Sequence, residues 1–120
     1  MPDKISGKIF FDPLNGGHSG YSIVVNRKDP FARKRFTVAH EIAHFILHRE
    51  RIGNSLTDDA LYRSGLTTRE EAQANRLAAE ILMPGHLLRG GLGGDPHVLA
   101  ERFQVSEAAM NIRLESLQPK

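Results

Sequence analysis

Between Phe31 and His48 the chain carries a helical pattern whose apolar part, Phe36–Leu47, is interrupted by three ionisable residues, His40, Glu41 and His44, and no other segment restricts the fold as much. Projected at about 100° per residue, Phe36, Val38, Ala39, Ile42, Ala43, Phe45, Ile46 and Leu47 surround the axis almost completely. A helix apolar on all sides is expected to be central and buried. Asp29 and Pro30 are placed to open it, as N-cap and first helical residue. Burying ionisable groups there is costly unless they have a partner. Residues i and i+4 share a helix face about 6 Å apart, so His40 and His44 can grip one ion. Glu41 points partly aside, toward a water at that ion rather than toward the ion itself. The alternative is a buried helix with two hydrogen-bonded core histidines.

Composition narrows the kind of site. The 120 residues contain no cysteine, which removes disulfide scaffolds, thiolate catalysis and every cysteine-based zinc site. Any metal must be held by His, Asp or Glu, and three of the six histidines lie within nine positions. A 40% apolar and 25% charged composition is ordinary for a globular domain. The net charge of +2 is too small to mark a nucleic-acid binder. The opening residues MPDKISGK lack the apolar centre of a signal peptide, and no run reaches the length of a membrane span. A cytoplasmic protein with no membrane association is expected.

The remaining segments suggest an α+β domain over residues 1–120, with a short N-terminal β-sheet and a helical C-terminal part. Residues 4–25 read as a β-hairpin, KISGKIFF and YSIVV joined by the turn-rich DPLNGGHSG. The apolar helix occupies 30–48. Residues 51–66 read as a loop with a short turn around Asp58–Tyr62. A second long helix is expected over 68–83, begun by overlapping capping boxes, Thr67 with Glu70 and Thr68 with Glu71, and stopped by Pro84. GGLGGDP is a flexible break, and 96–117 gives two short helices with Ser106 as the N-cap between them, resembling a helix-turn-helix.

Catalytic zinc sites usually have three protein ligands and one open position. His48 is an unsuitable third ligand, because eight residues of helix separate it from His40 by about 12 Å, too far for bonds of about 2 Å to one ion. It is expected to cap or pack the helix C-terminus instead. A metzincin would need Gly at position 47 and His at position 50, where this chain has Leu47 and Glu50. On the second helix Gln73, Arg76 and Glu80 mark the wet face, while Glu71 and Asn75 fall with Ala74, Ala78 and Leu82 on the apolar one. Glu71 is therefore the expected third ligand, with Asn75 supporting a histidine from behind. The competing role for Glu71 is membership of a capping box alone. A group to stabilise the oxyanion is also expected; Tyr62 and His86 qualify chemically, but the sequence places neither.

The segments RFTVAHEIAHFILH (35–48) and EAQANRLAAEILMP (71–84) resemble the ImmA/IrrE family of metallopeptidases, the domain-of-unknown-function 955 family. The resemblance covers most of the chain. Leu77 stands where Phe is usual, and the chain begins close to the first strand, without the helix that many members carry before it. It implies a zincin-like (gluzincin-like) fold, with His40, His44 and Glu71 as metal ligands and Glu41 as catalytic base. It also implies Zn²⁺, with Mn²⁺ as the alternative, and endopeptidase activity on a helix-turn-helix repressor or antitoxin-like partner acting in trans. Such pairs serve stress responses or mobile elements.

Two further signals support a different class. RKDPFARKR (27–35) puts five basic residues in nine positions. Together with the helix-turn-helix-like tail it allows a DNA-binding regulator, or a toxin-type binding module that keeps the metal site for structure alone. Against DNA reading, the tail's last helix opens Glu107-Ala108-Ala109, where a recognition helix offers Arg, Lys, Asn or Gln. Direct nucleic-acid binding is therefore not expected. Gly90–Gly94 lacks the context of a phosphate loop.

Overall fold

The structure, a computed structural model, describes residues 5–52, 55–59, 66–88 and 94–118. The N-terminal hairpin forms as expected, from β1 (Ile5–Phe11) and β2 (Tyr21–Val25), paired antiparallel from Gly7↔Val25 to Phe11↔Tyr21. Asp12 organises the connection. Its backbone N–H donates to Gly20 O at 2.7 Å, and its carboxylate accepts from Asn15 N–H at 3.2 Å and Ser22 Oγ at 2.9 Å. Gly17 and Gly20 take the positive φ values of 59° and 76° that this turn needs.

The sheet has a third strand. Residues 51–66, expected as a loop, contain the end of a helical turn, α2 (Arg49–Ile52), and a strand, β3 (Ser55–Asp59). β3 pairs antiparallel with the other edge of β1, giving the order β2-β1-β3 with an irregularity between Ile5 and Gly7. SLTDD has neither the β-branched density nor the alternation that identifies a strand, so its pairing with β1 decides its conformation. Of the turn expected around Asp58–Tyr62, Asp58 and Asp59 belong to this strand, and residues 60–62 lie outside the described ones.

The long helix is α1 (Phe31–Leu47), one residue shorter at each end than expected. Pro30 is the N-cap, with φ −57° and ψ 154°, and no side chain caps the helix. Asp29 is not the cap; its carboxylate instead lies 3.5 Å from Arg33. Nor is α1 buried all round. One side packs on β1 and β2 and another on α3 (Thr68–Leu82), while Val38, Ile46 and Leu47 stay exposed at 37–59%. The helix therefore rests between two layers, with a further side left open.

Two apolar clusters flank the α1–α3 pair. Ile9, Ile52 and Leu66, with Tyr21, Ile23 and Phe45, fill the space beside the sheet. Met83, Leu88, Leu99, Val105, Met110 and Leu114 join the far end of α3 to α4 (Gly85–Leu88), α5 (Pro96–Phe103) and α6 (Glu107–Leu117). Between the clusters the buried apolar residues of α1 and α3 are all alanine: Ala39, Ala43, Ala74 and Ala78. Small residues let the two backbones come close, so side chains of ordinary length can meet across them.

The tail forms the two expected helices. Ser106 caps α6 by accepting from Ala109 N–H at 3.0 Å, and Gln104 ends α5 in the left-handed conformation, φ 56°. The turn is tied to α1 by Arg35, whose guanidinium donates to the carbonyls of Gln104 and Phe103 at 3.2 and 3.4 Å. Arg113, 8% exposed, donates from Nε to Met83 O at 3.0 Å and so satisfies a carbonyl at the end of α3. The break expected at 90–96 lies largely outside the described residues; Asp95 caps α5 through His97 N–H at 2.9 Å.

Candidate metal centre

α1 places His40 and His44 one turn apart on the face toward α3, and α3 brings Glu71 to them from its first turn. The Nε2 atoms of the two histidines are 2.9 Å apart. Glu71 Oε1 lies 2.9 Å from His44 Nε2 and 3.3 Å from His40 Nε2. Ligand atoms bound to one tetrahedral ion at about 2.0–2.1 Å stand about 3.3–3.4 Å from one another, so this triangle has nearly the edge lengths of one face of such a site. Two imidazole nitrogens and a carboxylate oxygen are also a donor set that suits Zn²⁺. His40, His44 and Glu71 therefore fit a divalent metal ion, and among the described residues they form a cluster able to hold one.

The sequence favours Glu71 over the adjacent Glu70, and the structure gives the two separate surroundings. Thr67 Oγ1 accepts from Glu70 N–H at 3.1 Å, while Glu70 Oε1 accepts from Thr67 N–H at 3.0 Å, a complete capping box. Glu70 also pairs with Arg51 at 2.9 Å. Its carboxyl is held below the usual carboxylate range, mainly by the Thr67 backbone N–H, with the Thr67 side chain and Arg51 adding to the effect against a desolvation cost. Glu71, one residue on, is turned toward α1 and is only 4% exposed.

Glu41 is wholly buried and lies outside the three-residue cluster. Phe36 stacks on the His40 ring at 6.5 Å between centroids and 24° between planes, fixing one face of that imidazole. His48 is the C-cap of α1 and no part of the triangle. Its Nδ1 meets His44 Nδ1 at 3.1 Å, on the side of His44 away from the cluster, and its Nε2 meets Gln73 Oε1 at 3.1 Å. The side chains behind His44 are thus His48 and, beyond it, Gln73. Asn75, expected behind a histidine, is exposed and lines a cavity beside His40 and Glu71.

The helical projection misplaced these two residues of α3. It set Gln73 on the wet face and Asn75 on the apolar one, because it took no account of what stands at each flank of the helix. On Gln73's side the C-terminus of α1 folds over α3, and on Asn75's side the cavity opens. For His48 a signal existed: it lies four residues beyond His44, the same spacing that joins His44 to His40.

That cavity has a volume of about 590 Å³, and His40 and Glu71 form part of its wall. Arg33, Phe36 and Thr37 of α1 border it on one side, Ser106, Ala109 and Ile112 of α6 on another. Of the residues that open α6, Ala109 lines the cavity, while Glu107 and Ala108 are exposed. Basic residues of the 27–35 segment are engaged within the fold as well, Arg35 at the α5–α6 turn and Arg33 at Ser6 Oγ (3.0 Å) and Asp29. Tyr62 lies outside the described residues, and His86 is exposed on α4, away from the residues that line the cavity.

Among the described residues no helix is long and apolar enough to cross a membrane. No curated protein sequence matches the chain. The sequence model of one peptidase family does match, over residues 2–115, which takes in both helices of the metal centre and most of the tail that walls the cavity. The likeness carried by the two helical motifs thus extends over almost the whole chain, which belongs to the peptidase M78 family, described by its IrrE N-terminal-like domain.

Proposed function

We propose that this chain is a zinc-dependent endopeptidase with a gluzincin-like arrangement of its site, acting in the cytoplasm on a protein partner. The observation that carries the reading is the convergence of His40 Nε2, His44 Nε2 and Glu71 Oε1 beside a cavity large enough for a peptide segment. A metal ion held by these three residues would supply Lewis-acid polarisation of the scissile carbonyl and a more acidic water. Glu41 takes the proton from the attacking water and delivers it to the leaving amine. Its burial keeps bulk water from competing for that proton. The substrate segment runs between α1 and α6, where Phe36, Ala109 and Ile112 offer apolar contact and Arg33 a cationic one.

The partner proposed is a helix-turn-helix repressor or antitoxin-like protein, cleaved in trans to relieve repression in a stress or mobile-element response. This assignment rests on the resemblance of the two motifs to the ImmA/IrrE family. The test is to incubate the chain with candidate helix-turn-helix repressors, any encoded beside it first, and to follow each on a gel. Cleavage by the wild type, stopped by a chelator and by Glu41→Gln, is the expected result. Equal cleavage by Glu41→Gln would sink the mechanism. A salt-dependent shift of duplex DNA with no cleavage would favour the DNA-binding reading instead.

A further inference from the structure

We propose that Gln73 and His48 are positioning residues that hold His44 in the one tautomer able to bind a metal; the idea rests on the metal-centre reading above. The three side chains form an unbroken line from α3 to the cluster: Gln73 Oε1 to His48 Nε2 at 3.1 Å, His48 Nδ1 to His44 Nδ1 at 3.1 Å, and His44 Nε2 to Glu71 Oε1 at 2.9 Å. An amide oxygen only accepts, so the hydrogen of that first contact is on His48 Nε2. A neutral imidazole has one N–H, which leaves His48 Nδ1 as an acceptor. The second contact then needs its hydrogen on His44 Nδ1. His44 Nε2 is left with a lone pair, and it is this atom that faces His40 and Glu71, where a cation held among the three would satisfy it.

The opposite setting fails at a definable point. With the hydrogen on His44 Nε2, the ligand position is blocked and two lone pairs face each other between the buried rings of His44 and His48, which are 0% and 6% exposed. Ligand histidines are commonly fixed by an acceptor behind the distal nitrogen, and loss of that support weakens metal binding by about 10–100-fold. Here the acceptor is a second histidine, whose own tautomer is set by an amide two residues beyond the third ligand. The same line joins the C-terminus of α1 to α3, so ring orientation and ligand-helix spacing are set together.

The proposal predicts separate outcomes at Gln73. In Gln73→Leu the acceptor is gone while the bulk is kept, and Zn²⁺ affinity, read by competition with a chromophoric chelator, should fall about 10–100-fold. Gln73→Glu keeps an acceptor oxygen and should stay within a few-fold of the wild type. In the Zn²⁺-loaded wild type, nitrogen-15 NMR of the imidazoles should show His48 protonated at Nε2 alone and His44 at Nδ1. Circular dichroism establishes that each variant is folded. Wild-type affinity in folded Gln73→Leu, or the opposite tautomers in the wild type, would overturn the proposal and leave the metal centre standing. Failure of the wild-type chain to bind Zn²⁺ would overturn the metal-centre reading and this proposal with it.

Discussion

Thr67 and Glu70 bond reciprocally across the first turn of α3, at 3.1 Å and 3.0 Å, and this fixes which of two adjacent glutamates reaches the histidines. Because Glu70 is held at the helix start, Glu71 is rotated about 100° from it toward α1. Metal content should therefore survive Glu70→Ala and be lost in Glu71→Ala, with one ion per chain in the wild type. Thr67→Ala removes the cap and should lower stability by about 0.5–2 kcal/mol without releasing the metal. Elemental analysis and urea denaturation of the three variants check this. Metal retained by Glu71→Ala would remove that residue from the ligand set.

The same pair gives a pH dependence of known sign. The Thr67 backbone N–H holds the Glu70 carboxyl below its ordinary value of 4.5 in the fold. A depressed carboxyl favours the fold when ionised, so its contribution is present above the unfolded value and is lost as pH falls through the folded one. The melting-temperature gap between wild type and Glu70→Gln should therefore be widest near neutral pH. It should close on acidification below the unfolded value. A gap that widens on acidification would reverse the assignment.

Gly7 of β1 sits where a Cβ would strike Thr37 Cγ2 of α1 and come within 3.0 Å of Val24 O. Thr37 is 7% exposed and β-branched on a helix, so it has little freedom to yield. Gly7→Ala should cost about 1–3 kcal/mol by forcing α1 away from the sheet. Because α1 carries both histidines, chelator competition should also show weaker metal binding. A double variant with Thr37→Ala should recover part of both losses. Stability unchanged in Gly7→Ala would mean that the helix does not lie this close to the strand.

What could be read in the sequence were features set by local chemistry. The i, i+4 histidines, the capping box at Thr67, the stop at Pro84 and the Ser106 cap each depend on residues within one or two turns, and each appears in the structure. The features that were missed depend on distant partners. β3 exists because the edge of β1 accepts it, although Ser55–Asp59 has little strand character of its own. Val38, Ile46 and Leu47 look like core residues until the number of layers around α1 is known. Gln73 is polar on a helix flank, and only the position of His48 shows that it has a role.

Asn75 and Gln73 provide the sharpest contrast, being two residues apart on one helix with similar amide side chains. Gln73 contacts His48, whereas Asn75 is exposed on the cavity wall beside His40 and Glu71. Asn75→Ala should therefore keep Zn²⁺ affinity within about twofold, far from the ~10–100-fold loss typical when support behind a ligand is removed. An amide on the wall of a peptide-binding cavity can hydrogen-bond the substrate backbone, and losing such a bond typically costs about 0.5–1.5 kcal/mol. That corresponds to a rise in KM of roughly two- to twelvefold if the lost interaction is the same in the ground and transition states, with kcat little changed. Steady-state kinetics on a peptide spanning the cleavage site, measured beside the chelator competition, separates the two effects. A drop in metal affinity comparable to that of Gln73→Leu would place Asn75 behind a ligand after all, and an unchanged KM would take it out of the substrate path.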